Sequence, residues 1–285
     1  MNAYLELTKP GITLFIGISA AAGYVTAARG LGDPVDFVTA TATTMLMSAG
    51  AAALNHYAER EGDARMRRTS RRPIPSGTIS AHAAATFGWS LSTLGLLLAV
   101  ALLPFPAVVF LALSHISYVY LYTPLKRRTA FCTLAGAIPG ALPVLAGWTA
   151  TGQPVGPAAI ALTGVLFMWQ IPHFLAIGCM SRDDYARAGC VLLSIVEPTG
   201  RASARVSFAY AVAMMVCAGV LAIAADTGVL YTGIATVATA GYAGAAWRFA
   251  NDAGRTEARR LFFSSLLVLP VVLCALMVDL LLLPL

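Results

Sequence analysis

The chain has 285 residues, of which 58% are apolar and 11% charged, with a formal charge of +6 and a mean hydropathy of +0.75. An average soluble domain is about 45–50% apolar and about 25% charged, so this composition excludes a disordered tail, a coiled coil and a globule coated by water. Lipid must solvate much of the surface, and about 20 apolar residues make one crossing, which points to one polytopic domain over 1–285.

Long uncharged runs predict nine membrane helices, near 11–28, 37–58, 83–103, 105–122, 130–150, 157–179, 206–225, 228–247 and 261–283. The runs are continuous rather than alternating, and a helix satisfies its own backbone groups in lipid, so the expected class is an all-α bundle of nine transmembrane helices. No cleavable leader is expected before the first run, since a short polar lead passes straight into it. The five cysteines form no CxxC pair and read as small core residues rather than a disulfide frame or a zinc site.

The positive charge reads as a topology signal rather than as affinity for nucleic acid. With nine spans, 18 of the 19 Lys and Arg residues fall on one side: Lys9 and the segments 59–82, 123–129, 180–205 and 248–260. Only Arg29 falls on the other side. The expected orientation in a cell (inner) membrane has the N-terminus and the charged loops cytoplasmic and the C-terminus outside. That same face carries nine of the thirteen acids, so one end of the bundle looks chemically equipped, with a central cavity expected to open there.

The second span ends in Asn55, Glu59 and Asp63, spaced i, i+4 and i+8, which places all three on one helical stripe. Two carboxylates one turn apart at a membrane mouth repel each other and call for a cation. A hard divalent ion with oxygen ligands suits them, and Mg²⁺ is the usual partner where phosphates are substrates. Salt bridges to Arg60, Arg65 and Arg67 would serve the same need without a metal. Asn55, still inside the apolar run, tips the balance toward a site, because a buried amide needs partners. The arginines that follow, Arg68 among them, match phosphate geometry.

After the fourth span comes YTPLKRRT, with Tyr122 and the cations Lys126, Arg127 and Arg128, on the same side as the acids. In isolation this is a basic anchor with interfacial tyrosines; beside acidic clusters it becomes a clamp for a leaving diphosphate. The sixth span carries WQIPHF and is followed by SRDDYARAG. Asp184 is the better ligand candidate there, and Asp183 is read as a cap of the next helix start. His173 is either a hydrogen-bonded packing residue or a cofactor contact.

These residues resemble the intramembrane (UbiA-type) prenyltransferases, and within them the branch that farnesylates protohaem IX. The resemblance rests on N-x-x-x-E-x-x-x-D-A-x-M-x-R-T-x-x-R-P-x-P-S-G at 55–77, YTPLKRRT at 122–129, WQIPHF with DDYARAG at 169–189, LTKPGIT at 7–13 and GALPVLAGW at 140–148. It implies a nine-helix bundle with a central cavity and transfer of a farnesyl group from farnesyl diphosphate to a vinyl group of haem B, giving haem O. By that resemblance Asn55, Glu59 and Asp63 would hold one Mg²⁺ and Asp184, with Asp183 beside it, a second. Lys126, Arg127, Arg128, Arg68 and Tyr122 would face the diphosphate, and His173 would lie near haem. A haem A synthase is the expected recipient of the product. The chain departs from the family pattern at Ala188, at Cys132, where Asn is common, and over Cys190–Val196.

A relative acting on a quinone precursor is the same-class rival. A secondary transporter is the different-class rival, but transporters place ionisable groups near the midplane, whereas here they gather at one edge.

Overall fold

The computed structural model describes residues 2–282. Among them, nine helices are long and apolar enough to cross a membrane: α1 (Pro10–Ala28), α2 (Pro34–Arg65), α3 (Ala81–Leu102), α4 (Phe105–Leu125), α5 (Cys132–Ala150), α6 (Pro157–Met180), α7 (Arg201–Ala224), α8 (Val229–Asn251) and α9 (Arg255–Leu282). Short helices at Ala3–Leu7, Arg182–Arg187 and Leu193–Val196 complete the list, and no strand occurs among the described residues. The spans therefore stand where uncharged runs placed them, but several helices extend further. α2 continues to Arg65 rather than 58, α7 begins at Arg201 rather than 206, and α9 at Arg255 rather than 261. The cause is that a helix does not stop at the hydrocarbon edge, while a reading based on uncharged runs stops at the first charge. The expected last residue of the ninth span, 283, lies outside the described residues.

The packing inverts the pattern of a soluble protein. Large apolar side chains such as Val100, Phe105, Ile223, Val229, Val237 and Leu267 face outward, while alanine dominates the buried set. Between helices in lipid there is little hydrophobic drive, so close approach through small residues supplies the contact. The crossing of α1 and α5 is an example. A Cβ at Gly147 would run into the Ala20 carbonyl oxygen, and one at Gly23 into that of Val144. Both backbones touch through reciprocal glycines. Gly147→Ala should therefore destabilise the bundle by about 1–3 kcal/mol or more through overpacking, read as a lower Tm in detergent; an unchanged Tm would show that the helices separate freely here.

At the end away from the charged loops, the connection between α7 and α8 is held from two sides. Arg29 donates through Nη1 to Ala225 O at 3.0 Å and through Nη2 to Asp226 O at 3.3 Å, satisfying carbonyls at the end of α7. Asp279 accepts from Gly228 N at 2.6 Å and Tyr231 N at 3.1 Å, capping the start of α8. A cation at a C-terminus and an anion at an N-terminus also match the helix dipoles. The one basic residue predicted on this side thus has a structural task.

α4 is not uniform. Residues Ser117–Tyr122 form a π-helical turn. Pro124 follows it, and a proline lacks the N–H that would bond the carbonyl four residues back and crowds that carbonyl. The widened turn absorbs the misfit, and the Thr123 hydroxyl donates to Tyr118 O at 2.8 Å. A turn of this kind, found mostly beside functional sites, sets the direction in which Lys126 leaves the helix. In α5, Pro143 similarly cannot bond the Pro139 carbonyl, which instead accepts from Ser114 Oγ at 2.8 Å.

Candidate active site

Because α2 stays helical to Arg65, Asn55, Glu59 and Asp63 do fall on successive turns of one face. Each is already partnered. Asn55 Oδ1 accepts from Lys9 Nζ at 2.7 Å and its amide donates to Thr123 Oγ1 at 3.1 Å. Lys9 reaches it from a left-handed backbone conformation, φ 48°. That costs a non-glycine residue about 1–3 kcal/mol and is the kind of strain held at functional sites. Glu59 Oε1 accepts from Lys126 Nζ at 2.7 Å. Asp63 is fully buried, and Arg72 Nη1 donates to both its oxygens at 2.9 and 2.7 Å. The cations that compensate the stripe are therefore Lys9, Lys126 and Arg72, not the Arg60, Arg65 and Arg67 that neighbour it in sequence.

Lys126 projects just beyond α4, its ammonium 4.6 Å from the centre of the Tyr122 ring. Burial opposes its charge, but Glu59 outweighs that and holds its pKa well above the ordinary lysine range. Arg127 and Arg128 are exposed at the same mouth and have no ion-pair partner among the described residues. Arg68 lies over the Tyr185 ring at 4.4 Å.

The second acidic cluster meets the first loop. Asp184 accepts from the backbone N–H of Arg67 at 3.2 Å and is paired with Arg187. Asp183 is exposed and does not cap the short helix; Ser181 holds the cap position without a side-chain bond. The expected cap is corrected for that reason: Asp183 already lies inside the first turn, where it can only complement the helix start electrostatically. Val191 N donates to Lys126 O at 2.7 Å, which ties the loop after α6 to the basic tripeptide.

A cavity of about 830 Å³ opens among these groups, within the roughly 300–1,000 Å³ usual for small-molecule sites. Its rim includes Glu59, Asp63, Arg68, Lys126, Arg127 and Arg128. Its deeper wall includes Met47, Leu111, Pro139, Phe174 and Ile177, with Gln170 among them. A charged rim over an apolar chamber accommodates an amphiphile with an anionic head. With the acids engaged, the free guanidinium groups of Arg127 and Arg128 leave the mouth attractive to phosphate. The donors on the stripe and at Asp184 are all oxygens, as a hard divalent ion requires. No three of His, Cys, Asp and Glu enclose an ion among the described residues, so substrate phosphate and water would complete its coordination. Within that limit the residues fit such an ion.

His173 is not on the cavity wall. It stacks on Trp169 at 4.9 Å and 22°, and its Nδ1 lies 2.7 Å from Ser265 Oγ on α9. Lys9, Thr123 and Gln170 belong to the site but were not singled out from sequence, and Arg72 was read only as one of the arginines matching phosphate, not as the partner of Asp63. Lys9 and Arg72 do lie inside the LTKPGIT and RPIPSG stretches, which was the available signal.

The fold is that of a membrane-embedded prenyl-transferring enzyme. The chain belongs to the UbiA prenyltransferase family, whose model matches residues 16–267. A protoheme IX farnesyltransferase of Solibacter usitatus is 36% identical over 98% of this chain and 99% of its own length, and one of Opitutus terrae is 36% identical over 97% and 94%. Among solved structures, one from work on digeranylgeranylglyceryl phosphate synthase in membranes aligns with a TM-score of 0.82 at 17% identity, covering 99% of this chain and 98% of that one. A UbiA homolog from Archaeoglobus fulgidus bound to GPP and Mg²⁺ aligns with a TM-score of 0.72 at 14% identity, covering 96% and 99%.

Proposed function

We propose that the chain transfers a farnesyl group from farnesyl diphosphate to a vinyl group of haem B, giving haem O and diphosphate. The observation that carries this reading is the cavity with a mixed acidic and basic rim above an apolar chamber; the haem acceptor is supported by relatives of that name aligned along nearly the whole chain.

Arg68, Arg127 and Arg128 would neutralise the diphosphate as it leaves, and Lys126 would share its ammonium between Glu59 and a phosphate oxygen. Asn55, Glu59 and Asp63 on one side and Asp184 on the other would hold Mg²⁺. When bound, the ion would neutralise charge on the departing diphosphate. The C1–O bond of the prenyl diphosphate breaks and the terminal vinyl carbon bonds to C1. The positive charge left beside the porphyrin ring is quenched by water, which adds hydroxide and releases a proton. Tyr122, Phe174 and the apolar wall keep other water away from the allylic centre. The rim would face the cytoplasm of the cell (inner) membrane, with the C-terminus outside, and the product would pass to a haem A synthase.

The test is incubation of purified membranes with farnesyl diphosphate, Mg²⁺ and haem B, followed by mass analysis of extracted haems. A haem heavier by a farnesyl group and a hydroxyl is expected. EDTA should abolish its formation and added Mg²⁺ restore it. Conversion only of an aromatic acid, with haem untouched, would instead favour a quinone-precursor acceptor.

A further inference from the structure

Gln170 is nine-tenths buried in α6 and lines the cavity. Its side-chain amide has a defined orientation. Nε2 donates to Ala137 O at 3.3 Å and to Leu166 O at 3.1 Å. Two carbonyls beside one end of an amide require that end to be the NH₂, which fixes the oxygen at the other. Oε1 takes no hydrogen bond among the described residues, and it lies against Gly140, where a Cβ would collide with it. The arrangement spends two bonds to aim an unpaired carbonyl dipole, and a glycine leaves room for it.

Its height in the cavity matters. The Lys126 ammonium lies 4.6 Å from the Tyr122 ring centre. That ring packs on Gly136, where an added Cβ would come within 2.6 Å of it. Gly140 is one helical turn deeper, about 6 Å along α5. An anionic head held at Lys126 therefore places the first carbons of its tail between the rim and Oε1.

We propose that Gln170 is a catalytic residue whose Oε1 stabilises the positive charge developing on the allylic carbons of the prenyl diphosphate, with Gly140 as its positioning residue. The inference rests on the prenyl-transfer reading above. In a chamber of low dielectric, a fixed carbonyl oxygen aimed at forming charge needs no reorganisation at the moment of reaction, and that is where preorganised dipoles act most strongly. The oxygen forms no bond to carbon: the C1–O bond breaks toward diphosphate, the acceptor's vinyl electrons fill the vacancy, and the amide acts on the charge between those events.

The test uses the full-length protein in detergent or membranes with farnesyl diphosphate and the acceptor that the wild type converts. Gln170→Met, close in size and apolar, should lower kcat by on the order of 10–100-fold while KM for the diphosphate stays within about twofold, as expected for an interaction made in the transition state. The rate penalty for a 2-fluoro allylic diphosphate, which disfavours the cation, should be larger in this variant than in wild type; a merely structural role would leave that ratio unchanged. Gly140→Ala, which displaces Oε1 but keeps the amide, should show the same pattern and serves if Gln170→Met fails to fold. Unaltered kcat, or an unaltered fluoro penalty in the variant that folds, overturns the role of Gln170. An inactive wild type overturns the prenyl-transfer reading itself, so the two failures are distinct.

Discussion

Asp63→Asn is expected to lower turnover by at least about 10²-fold, with a smaller loss of stability. The carboxylate is fully buried and gripped at both oxygens by Arg72, while Thr69 Oγ1 donates to its backbone carbonyl at 2.9 Å. It latches the loop after α2, and on the proposed reading it is also an oxygen donor to the metal. That loop carries the Arg67 N–H to Asp184, so loosening it also separates the two acidic clusters. Breaking a buried pair by removing one charge costs about 3–5 kcal/mol. The Arg72 side chain is 27% exposed, so the loss here should fall below that range. Arg72→Gln separates the tasks, because it removes the latch and keeps the carboxylate. Steady-state kinetics and detergent Tm should find similar stability losses in both variants but a much larger kcat loss in Asp63→Asn. Equal kcat values would mean that Asp63 only fastens the loop.

Lys126→Met is expected to lower kcat/KM for the prenyl diphosphate by about 10²–10³-fold. The ammonium and Glu59 are 16% and 18% exposed, so deleting one strands the other in a poorly solvated place. The double variant Lys126→Met with Glu59→Gln should regain most of the Tm lost by the single change and none of the activity. Full recovery of activity would sink the phosphate role of Lys126. The pH dependence has a definite sign. A lysine pKa raised on folding contributes stability that is complete below its unfolded value and is lost only as pH climbs through the folded one. Lys126 should thus stay charged through ordinary alkaline assays of the wild type, whereas in Glu59→Gln, where burial is no longer outweighed by the carboxylate, the alkaline limb of the residual pH–rate profile should move to lower pH.

The bundle was legible because its cause is compositional: a chain with 11% charge has no soluble option, and uncharged runs mark the crossings. The stripe of Asn55, Glu59 and Asp63 was legible because a spacing of four is a property of the helix itself. Its partners were not. Lys9 meets Asn55 across two helices, and Arg72 returns to Asp63 through a loop whose path no periodicity encodes. The WQIPHF stretch drew the eye to His173, yet Gln170, Phe174 and Ile177 share the cavity face at i, i+4 and i+7, while His173 turns toward Ser265 on α9. Chemistry in that motif was visible; which of its side chains faced inward depended on helix phase against α5 and α9.

The widened turn at Ser117–Tyr122 has a consequence for how such chains can vary. One amino acid more or less in a helix rotates everything beyond it by about 100°. Shortening this turn to an ordinary one would swing Lys126, Arg127 and Arg128 around the axis as a block, with their composition unchanged. Related chains that keep the basic tripeptide but lack the extra residue would then present those cations to a different neighbour, so phase as well as spelling must be matched before roles are carried from one sequence to another.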